Sequence, residues 1–300
     1  RDYNKEKLCA LAAQYETFKK DMSGEMPDVP FQMLTALPLT KDHWKQIAEY
    51  ATWNQTRMNL NTFARHKVLE DSKVLETVCS KLQNPEQVKR AKVFPYQLFN
   101  SYLHMDDTVP TKVSIALQKA AECALENIPD FSGKVYVLVD TSGSMKSPVT
   151  GYRGTVTSKM RCIDVAALVA AAIMRKNPET EVVPFDTTVH PHKLNPLDSI
   201  MTNAKTLASY GGGGTNCSSA LAHLNNKSAK GDLVIYVSDN ESFMDAQHYR
   251  STATMVEWDK FKKLNPNAKL VNIDIQPSST TQTHEREDIL NCGGFNDSVF

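Results

Sequence analysis

The 300-residue chain lacks a net charge: Lys plus Arg and Asp plus Glu are 34 each. That balance excludes a global basic field of the kind that gathers nucleic acid, so an RNA or an acidic partner has to be held by a local patch. C-x-x-C pairs are also missing. The six cysteines (Cys9, Cys79, Cys123, Cys162, Cys217, Cys292) are widely spaced and lie mostly in apolar segments. This excludes a zinc knuckle and a thioredoxin-type motif and points to reduced core thiols in a cytoplasmic protein. No apolar run approaches the roughly 20 residues of a membrane span. No signal peptide opens the chain. It begins Arg1-Asp2-Tyr3 without a methionine, which implies further sequence in front. The length allows two domains of ordinary size.

Familiar catalytic and nucleotide motifs are absent as well. Gly211 to Gly214 are not followed by Gly-Lys-Ser/Thr, so they form no phosphate-binding P-loop. Their spacing also rules out a dinucleotide fingerprint. Ser142 or Ser144 as a nucleophile would need a positioned base. His190, His192 and His223 stand at no recognisable triad element. No catalytic residue is assigned, and the chain reads as a non-enzyme.

What is present is organised around Val135-Tyr136-Val137-Leu138-Val139-Asp140-Thr141-Ser142-Gly143-Ser144-Met145. The apolar half, bounded by Gly133 and Gly143, predicts a strand buried on both faces. Asp140, Ser142 and Ser144 then place three hard oxygen donors at alternate positions as the strand ends. Ligands of open α/β sheets sit at the carboxyl ends of the strands. A charged, hydroxylated turn there is a candidate cation site, because Mg²⁺ takes oxygen ligands in octahedral geometry.

Ahead of this strand, residues 1 to 130 read as all helical. Trp44, Ile47, Ala48 and Ala51 form one apolar stripe behind the cap Thr40, and Val74, Leu75, Val78 and Leu82 form another. Asn84-Pro85-Glu86-Gln87 is a helix start. Pro95 forces a break before an aromatic helix, and Pro110-Thr111 opens another with Val113, Ala116, Leu117, Ala120, Ala124 and Ile128 on one face. Short helices with short polar connections suggest a HEAT-like array, although no clear sequence repeat is visible. His43 and His104 read as ordinary surface or satisfied side chains. Basic residues outnumber acids in one interval: Arg57, Arg65, His66, Lys67, Lys73, Lys81, Lys89, Arg90 and Lys92. They form either a solvated helix face or a phosphate-contacting surface, with Asn54, Gln55, Asn59, Asn61 and Thr62 as further hydrogen-bonding groups.

Residues 131 to 300 alternate strands and helices. A polar loop from Lys146 to Ser158, with Gly151, Arg153 and Gly154, leads to a helix over Met160 to Met174 that is apolar nearly all round. Strands are predicted over 181–185, 232–237 and 269–275, with 188–194 returning as an edge strand. Pro184 implies a bulge or an unpaired position. Helices are predicted over 197–208, 218–226 and 249–264. This rhythm specifies a doubly wound sheet with helices on both faces.

Three strand-end features converge: Asp140-x-Ser142-x-Ser144, Gly213-Gly214-Thr215 before a helix, and Asp239 after a buried strand. The ordered set resembles the metal-ion-dependent adhesion site (MIDAS) of von Willebrand factor A domains, over residues 133 to 275. The resemblance implies a divalent cation, Mg²⁺ by preference. Ser142, Ser144 and Thr215 would be hydroxyl ligands, and Asp140 and Asp239 would bind directly or through water.

A helical domain in front of an A domain narrows the resemblance to the Ro autoantigen (TROVE) family. The matching residues are Asp239-Asn240-Glu241-Ser242-Phe243, Leu82-x-Asn84 with Lys89-Arg90-Ala91-Lys92 and Pro95, and Asp288-Ile289-Leu290 with Cys292-Gly293-Gly294-Phe295. The resemblance implies a partial TROVE-like helical-repeat domain over 1–130 and a von Willebrand A-like domain over 131–300. It also implies a non-catalytic protein that binds non-coding RNA, both misfolded RNA and Y-RNA-like RNA. On that reading Arg57, Arg65, His66, Lys67, Lys89, Arg90 and Lys92 are the RNA-binding candidates, because the segment aligns with the last repeats of the family array. The family's helices close a ring, whereas about half of that array stands here, so closure would call on further N-terminal sequence or a second subunit. Relatives continue past Val299-Phe300 into a final helix. The rival reading is a cytosolic A-domain scaffold that holds an acidic protein ligand through the metal.

Overall fold

The computed structural model describes residues 5–151, 160–191, 193–239, 252–276 and 283–294. Readings placed on Arg153, Gly154, His192, Asn240, Glu241, Ser242, Phe243, Tyr249 and Phe295 fall outside them. The chain packs as two compact units, residues 1–82 with 105–116 and residues 83–104 with 117–300.

The first unit is helical: α1 (Lys5–Asp21), α2 (Phe31–Thr35), α3 (Lys41–Tyr50), α4 (Trp53–Met58), α5 (Leu60–Arg65), α6 (Ser72–Leu82) and the start of α9 (Thr111–Cys123). The expected stripes are its core, with Trp44, Ile47, Ala48, Val74, Val78 and Leu82 all buried. Thr40 caps α3 by accepting from the His43 backbone N–H, while the His43 ring returns a contact to the Thr40 N–H. His43 is therefore part of the cap. Trp53 Nε1 donates to Leu82 O at 3.1 Å, tying α4 to the end of α6.

Lys81 departs from the surface reading. Its half-buried ammonium donates to the carbonyls of Ala48, Glu49 and Ala51 at 3.2, 2.9 and 2.7 Å. The last carbonyls of a helix have no partner within it, and a cation there also meets the negative end of the helix dipole. Burial lowers the Lys81 pKa. Lys81→Met, which keeps the stem and removes the charge, is expected to destabilise this unit by about 1–3 kcal/mol. Urea unfolding followed by Trp44 and Trp53 fluorescence measures it; a midpoint equal to the parent's would show the interaction to be idle.

The second unit holds α7 (Pro85–Ala91), α8 (Pro95–Leu103), the end of α9, and a five-stranded sheet. Asn84 caps α7, accepting from Gln87 N at 3.0 Å with Pro85 in the first turn, as its residues predict. The strands are β1 (Val135–Asp140), β2 (Glu181–Phe185), β3 (Leu233–Ser238), β4 (Lys269–Asp274) and β5 (Ile289–Gly293). Their order is β2-β1-β3-β4-β5, all parallel. β1 is buried along its whole length. Alternate side chains serve opposite faces. Tyr136 and Leu138 join a core with Leu221, Leu224, Trp258 and Phe261 from α12 (Cys217–Asn226) and α13 (Ala253–Leu264). On the other face lies α10 (Cys162–Lys176), buried from Cys162 through Met174, beside α11 (Ile200–Leu207).

Three expectations about the sheet change. Pro184 sits in continuous register opposite Val139 without a bulge, because β2 is an edge strand and tolerates a missing donor. The segment after β2 makes only a single antiparallel bridge, Phe185 to Val189, among the described residues. β5 was not anticipated; Asn291, Cys292 and Gly293 carry little strand preference, and pairing with β4 is what extends them.

A charge network locks β5 to α13. Asp288 accepts from Trp258 Nε1 at 3.0 Å and from Arg286 Nε and a terminal guanidinium nitrogen at 2.6 and 2.9 Å. Arg286 also reaches Asp259 at 2.8 Å. The guanidinium holds the Asp288 carboxyl well below the usual carboxylate range, aided by the indole N–H. A depressed carboxyl stabilises the fold fully above its unfolded pKa of about 4, and that contribution fades as pH falls below it. Asp288→Asn, with Arg286 38% exposed and the pair screened accordingly, is expected to cost about 1–2 kcal/mol at pH 7 and to flatten the stability loss between pH 4 and 2. Denaturant titrations at both ends of that range measure it; parallel pH profiles for variant and parent would refute it.

Candidate functional site

The site forms where β1 and β3 end. Asp140 is fully buried, and both its carboxylate oxygens are engaged. Oδ1 accepts from the Ser142 backbone N–H at 2.8 Å and Oδ2 from the Ser238 hydroxyl at 2.7 Å. The Ser142 and Ser144 hydroxyl oxygens lie 3.1 Å apart, which the i, i+2 spacing across the turn produces. Asp239 follows Ser238 directly and is buried, as is Thr215.

The glycine run is fastened to this turn by main-chain bonds. Gly143 N donates to Gly213 O, and Gly212 N to Thr141 O, both at 2.9 Å. Gly211 has φ +73, and a Cβ there would lie 2.1 Å from Thr141 O, so the close approach demands glycine. Asp186, just past β2, holds the far side of the run: its carboxylate accepts from Gly213 N at 3.2 Å and its carbonyl from Asn216 N at 3.0 Å. His190 lies 3.0 Å from the same carboxylate. Thr215 is thereby delivered to the edge that carries the serines.

Electrostatics set the character of the place. Burial pushes the Asp140 carboxyl up to about 6 despite its hydrogen bonds to Ser238 and Ser142, and the Asp239 charge adds to the rise. The buried Cys162 thiol, pushed up to about 12 by burial, also feels Asp239 and Asp140. Two buried carboxylates thus stand at neighbouring strand ends beside the Ser142 and Ser144 hydroxyls. Among the described residues no three His, Cys, Asp or Glu side chains cluster; the donors at this edge are the two carboxylates and the neighbouring hydroxyls, an oxygen set. Such a set could hold a hard divalent cation, which would relieve the repulsion between Asp140 and Asp239.

Ser238 and Asp186 were missed from the sequence. Both stand at strand ends of the same edge, and the rule that found Asp140 and Asp239 would have found them. All six cysteines are free; Cys162 and Cys217 are buried and Cys9 is exposed. No helix among the described residues is long and apolar enough to cross a membrane.

The basic candidates divide between the two units. Arg57 lies in the last turn of α4 and is half-buried, Arg65 ends α5 and is exposed, and Lys67 is exposed with φ 59. His66 stacks on Trp44 with ring centroids 4.4 Å apart, and burial, helped by Arg65, lowers its pKa; its ring is a neutral packing element. Gln55 and Asn59 are spent on local structure, bonding Thr52 N and Gln55 O, and Asn61 accepts from the distant Asp106 N. In the second unit, Lys89 and Arg90 occupy the last turn of α7 and Lys92 follows with φ 48; all three are exposed. Among the described residues none of the three pairs with a carboxylate within 4.0 Å.

A family model, the Ro60 vWA domain, matches residues 134–300, more than half of the chain. The chain belongs to this family. The Ro60-type domain so identified contains every strand of the sheet and all five residues of the oxygen-lined edge. The fold of the whole chain is similar to that of the Ro (RSR) protein of Deinococcus radiodurans, with a TM-score of 0.71 at 20% identity. That match covers 95% of this chain and 57% of the solved one, so the helices in front of the Ro60-type domain also have counterparts there.

Proposed function

We propose that this Ro60-family chain is a non-catalytic, Ro-type RNA-binding protein that acts in the cytoplasm. Its helices are a HEAT-like part of a TROVE array, and they hold structured or misfolded non-coding RNA of the Y-RNA kind. The A domain carries a Mg²⁺-type MIDAS built from Asp140, Ser142, Ser144, Thr215 and Asp239. One observation carries the reading: a Ro60-type domain shares its chain with helices on which the basic residues Arg65, Lys67, Lys89, Arg90 and Lys92 are exposed. Exposed cations without carboxylate partners are suited to phosphate, and phosphate contacts position RNA without reading its sequence. Structured RNA is recognised largely by shape, backbone and unpaired ends.

The metal and the RNA use different residues, which sets the test. Gel shifts with a structured RNA bearing a single-stranded 3′ end are expected to weaken steeply between about 50 and 200 mM salt, through counterion release. EDTA is expected to change affinity less than about threefold, under about 1 kcal/mol. A hundredfold loss in EDTA would mean that the metal itself holds the RNA. Absence of RNA binding, with metal-dependent capture of an acidic peptide, would favour the scaffold reading.

A further inference from the structure

The opposite edge of the same sheet, where the strands begin, carries a second charged feature. A cleft of about 550 Å³ is lined by Lys262, Lys269, Arg286, Glu287 and Asp288. A second, of about 220 Å³, is lined by Lys134, Lys230 and Asp232, and the two share the turn Pro266-Asn267. The clefts therefore adjoin at this turn and together follow the starts of β1, β3, β4 and β5. At about 4.8 Å per strand, three strand spacings make about 14 Å, longer than one phosphate group and able to take successive phosphates of a chain.

Three of the lysines here are held in place by carbonyls rather than carboxylates. Lys134 Nζ donates to Glu179 O at 2.6 Å, Lys230 Nζ to Leu264 O at 2.9 Å, and Lys269 Nζ to Glu287 O at 3.1 Å. Lys262 reaches the carbonyls of Pro266 and Ala268, with Asp288 at 3.6 Å. A carbonyl fixes an ammonium and leaves its charge and two N–H donors available. Among the described residues no carboxylate lies within 4.0 Å of the ammonium of Lys134, Lys230 or Lys269. Arg286 and Asp288 satisfy one another, and the Asp232 carboxylate accepts the Lys134 backbone N–H at 2.8 Å. Lys134, Lys230 and Lys269 then stand beside Asp232 and Glu287, while Lys262 shares Asp288 with Arg286. Their ordering cost is already met by the main chain, which favours binding by preorganisation.

We infer that this groove binds phosphate, in the form of consecutive phosphate groups of a polyanion. Its source is an RNA backbone or a free oligophosphate, and the RNA source rests on the function proposed above. Inorganic pyrophosphate is the direct probe, titrated calorimetrically into the full chain at low salt. Changing Lys134, Lys230 and Lys269 together to Gln is expected to weaken pyrophosphate at least tenfold, and changing the same three to Arg to retain it. Should the triple Gln variant melt early, Lys230→Gln and Lys269→Gln singly, both at exposed positions, give the same readout with a smaller effect. No pyrophosphate binding by the parent, or equal affinity in the Gln and parent chains, overturns the inference. The RNA arm identifies the source. A salt slope flattened by about 2 in the triple Gln variant points to backbone, and an unchanged slope with pyrophosphate binding abolished points to free oligophosphate. A parent that binds pyrophosphate but no RNA defeats the proposed function and leaves the groove standing.

Discussion

Asp140→Ala is expected to abolish divalent-ion binding, and Ser142→Ala to weaken it by roughly ten- to hundredfold, within the range seen when metal-site shells are altered. Asp140 is the residue on which the site turns. Its carboxylate is fully buried and receives the Ser142 N–H and the Ser238 hydroxyl, so it both supplies charge and sets the turn that presents Ser142 and Ser144. Removing it leaves those two donors without their acceptor, at about 1–3 kcal/mol each. Relief of the Asp140–Asp239 repulsion offsets part of that cost. Ser142→Ala separates ligand loss from folding better, since it keeps the backbone N–H that Asp140 accepts and removes only a hydroxyl that meets Ser144 and Asp140. Calorimetric titration with Mn²⁺ or Mg²⁺, alongside a melting curve, is the measurement. Parent-like affinity in both folded variants would remove the metal assignment.

Replacing Lys89, Arg90 and Lys92 together with Ala is expected to weaken many unrelated structured RNAs by similar factors, roughly ten- to hundredfold at moderate salt. For every phosphate that the variant no longer neutralises, the dependence of log affinity on log salt should flatten by about 0.7 to 0.9. The three side chains are exposed at the end of α7, while Val88 on the buried face is untouched, so stability should move by less than about 0.5 kcal/mol. The rival is a helix end that is merely solvated. It predicts parent-like binding and an unchanged slope, and that outcome would shift the weight to an A domain acting as a protein scaffold.

Local rules settled much of this molecule in advance. The run Val135 to Val139 can satisfy neither a polar face nor a turn, so it had to be an inner strand. Thr40, Asn84 and Pro95 start helices because each supplies or dispenses with a backbone hydrogen bond at that position. That Asp140 would end a buried strand, that Asp239 would follow another, and that Thr215 would precede a helix was legible because strand and helix ends are written in one dimension.

Other features depend on partners far away in the chain, and only the tertiary structure decided them. Lys81 looked like one more surface cation until three carbonyls at the end of another helix surrounded its ammonium. His66 became a stacking ring because Trp44 lies beneath it. β5 exists because β4 offers an edge and Asp288 reaches Trp258, neither of which is visible in Ile289 to Gly293 alone. A single cut near residue 130 follows the change of periodicity, while α7 and α8 fall in the compact unit that holds the sheet, α8 against α10, since burial follows the neighbour in space. Periodicity and caps are short-range and can be read from order; pairing, burial and charge compensation are long-range and require the fold.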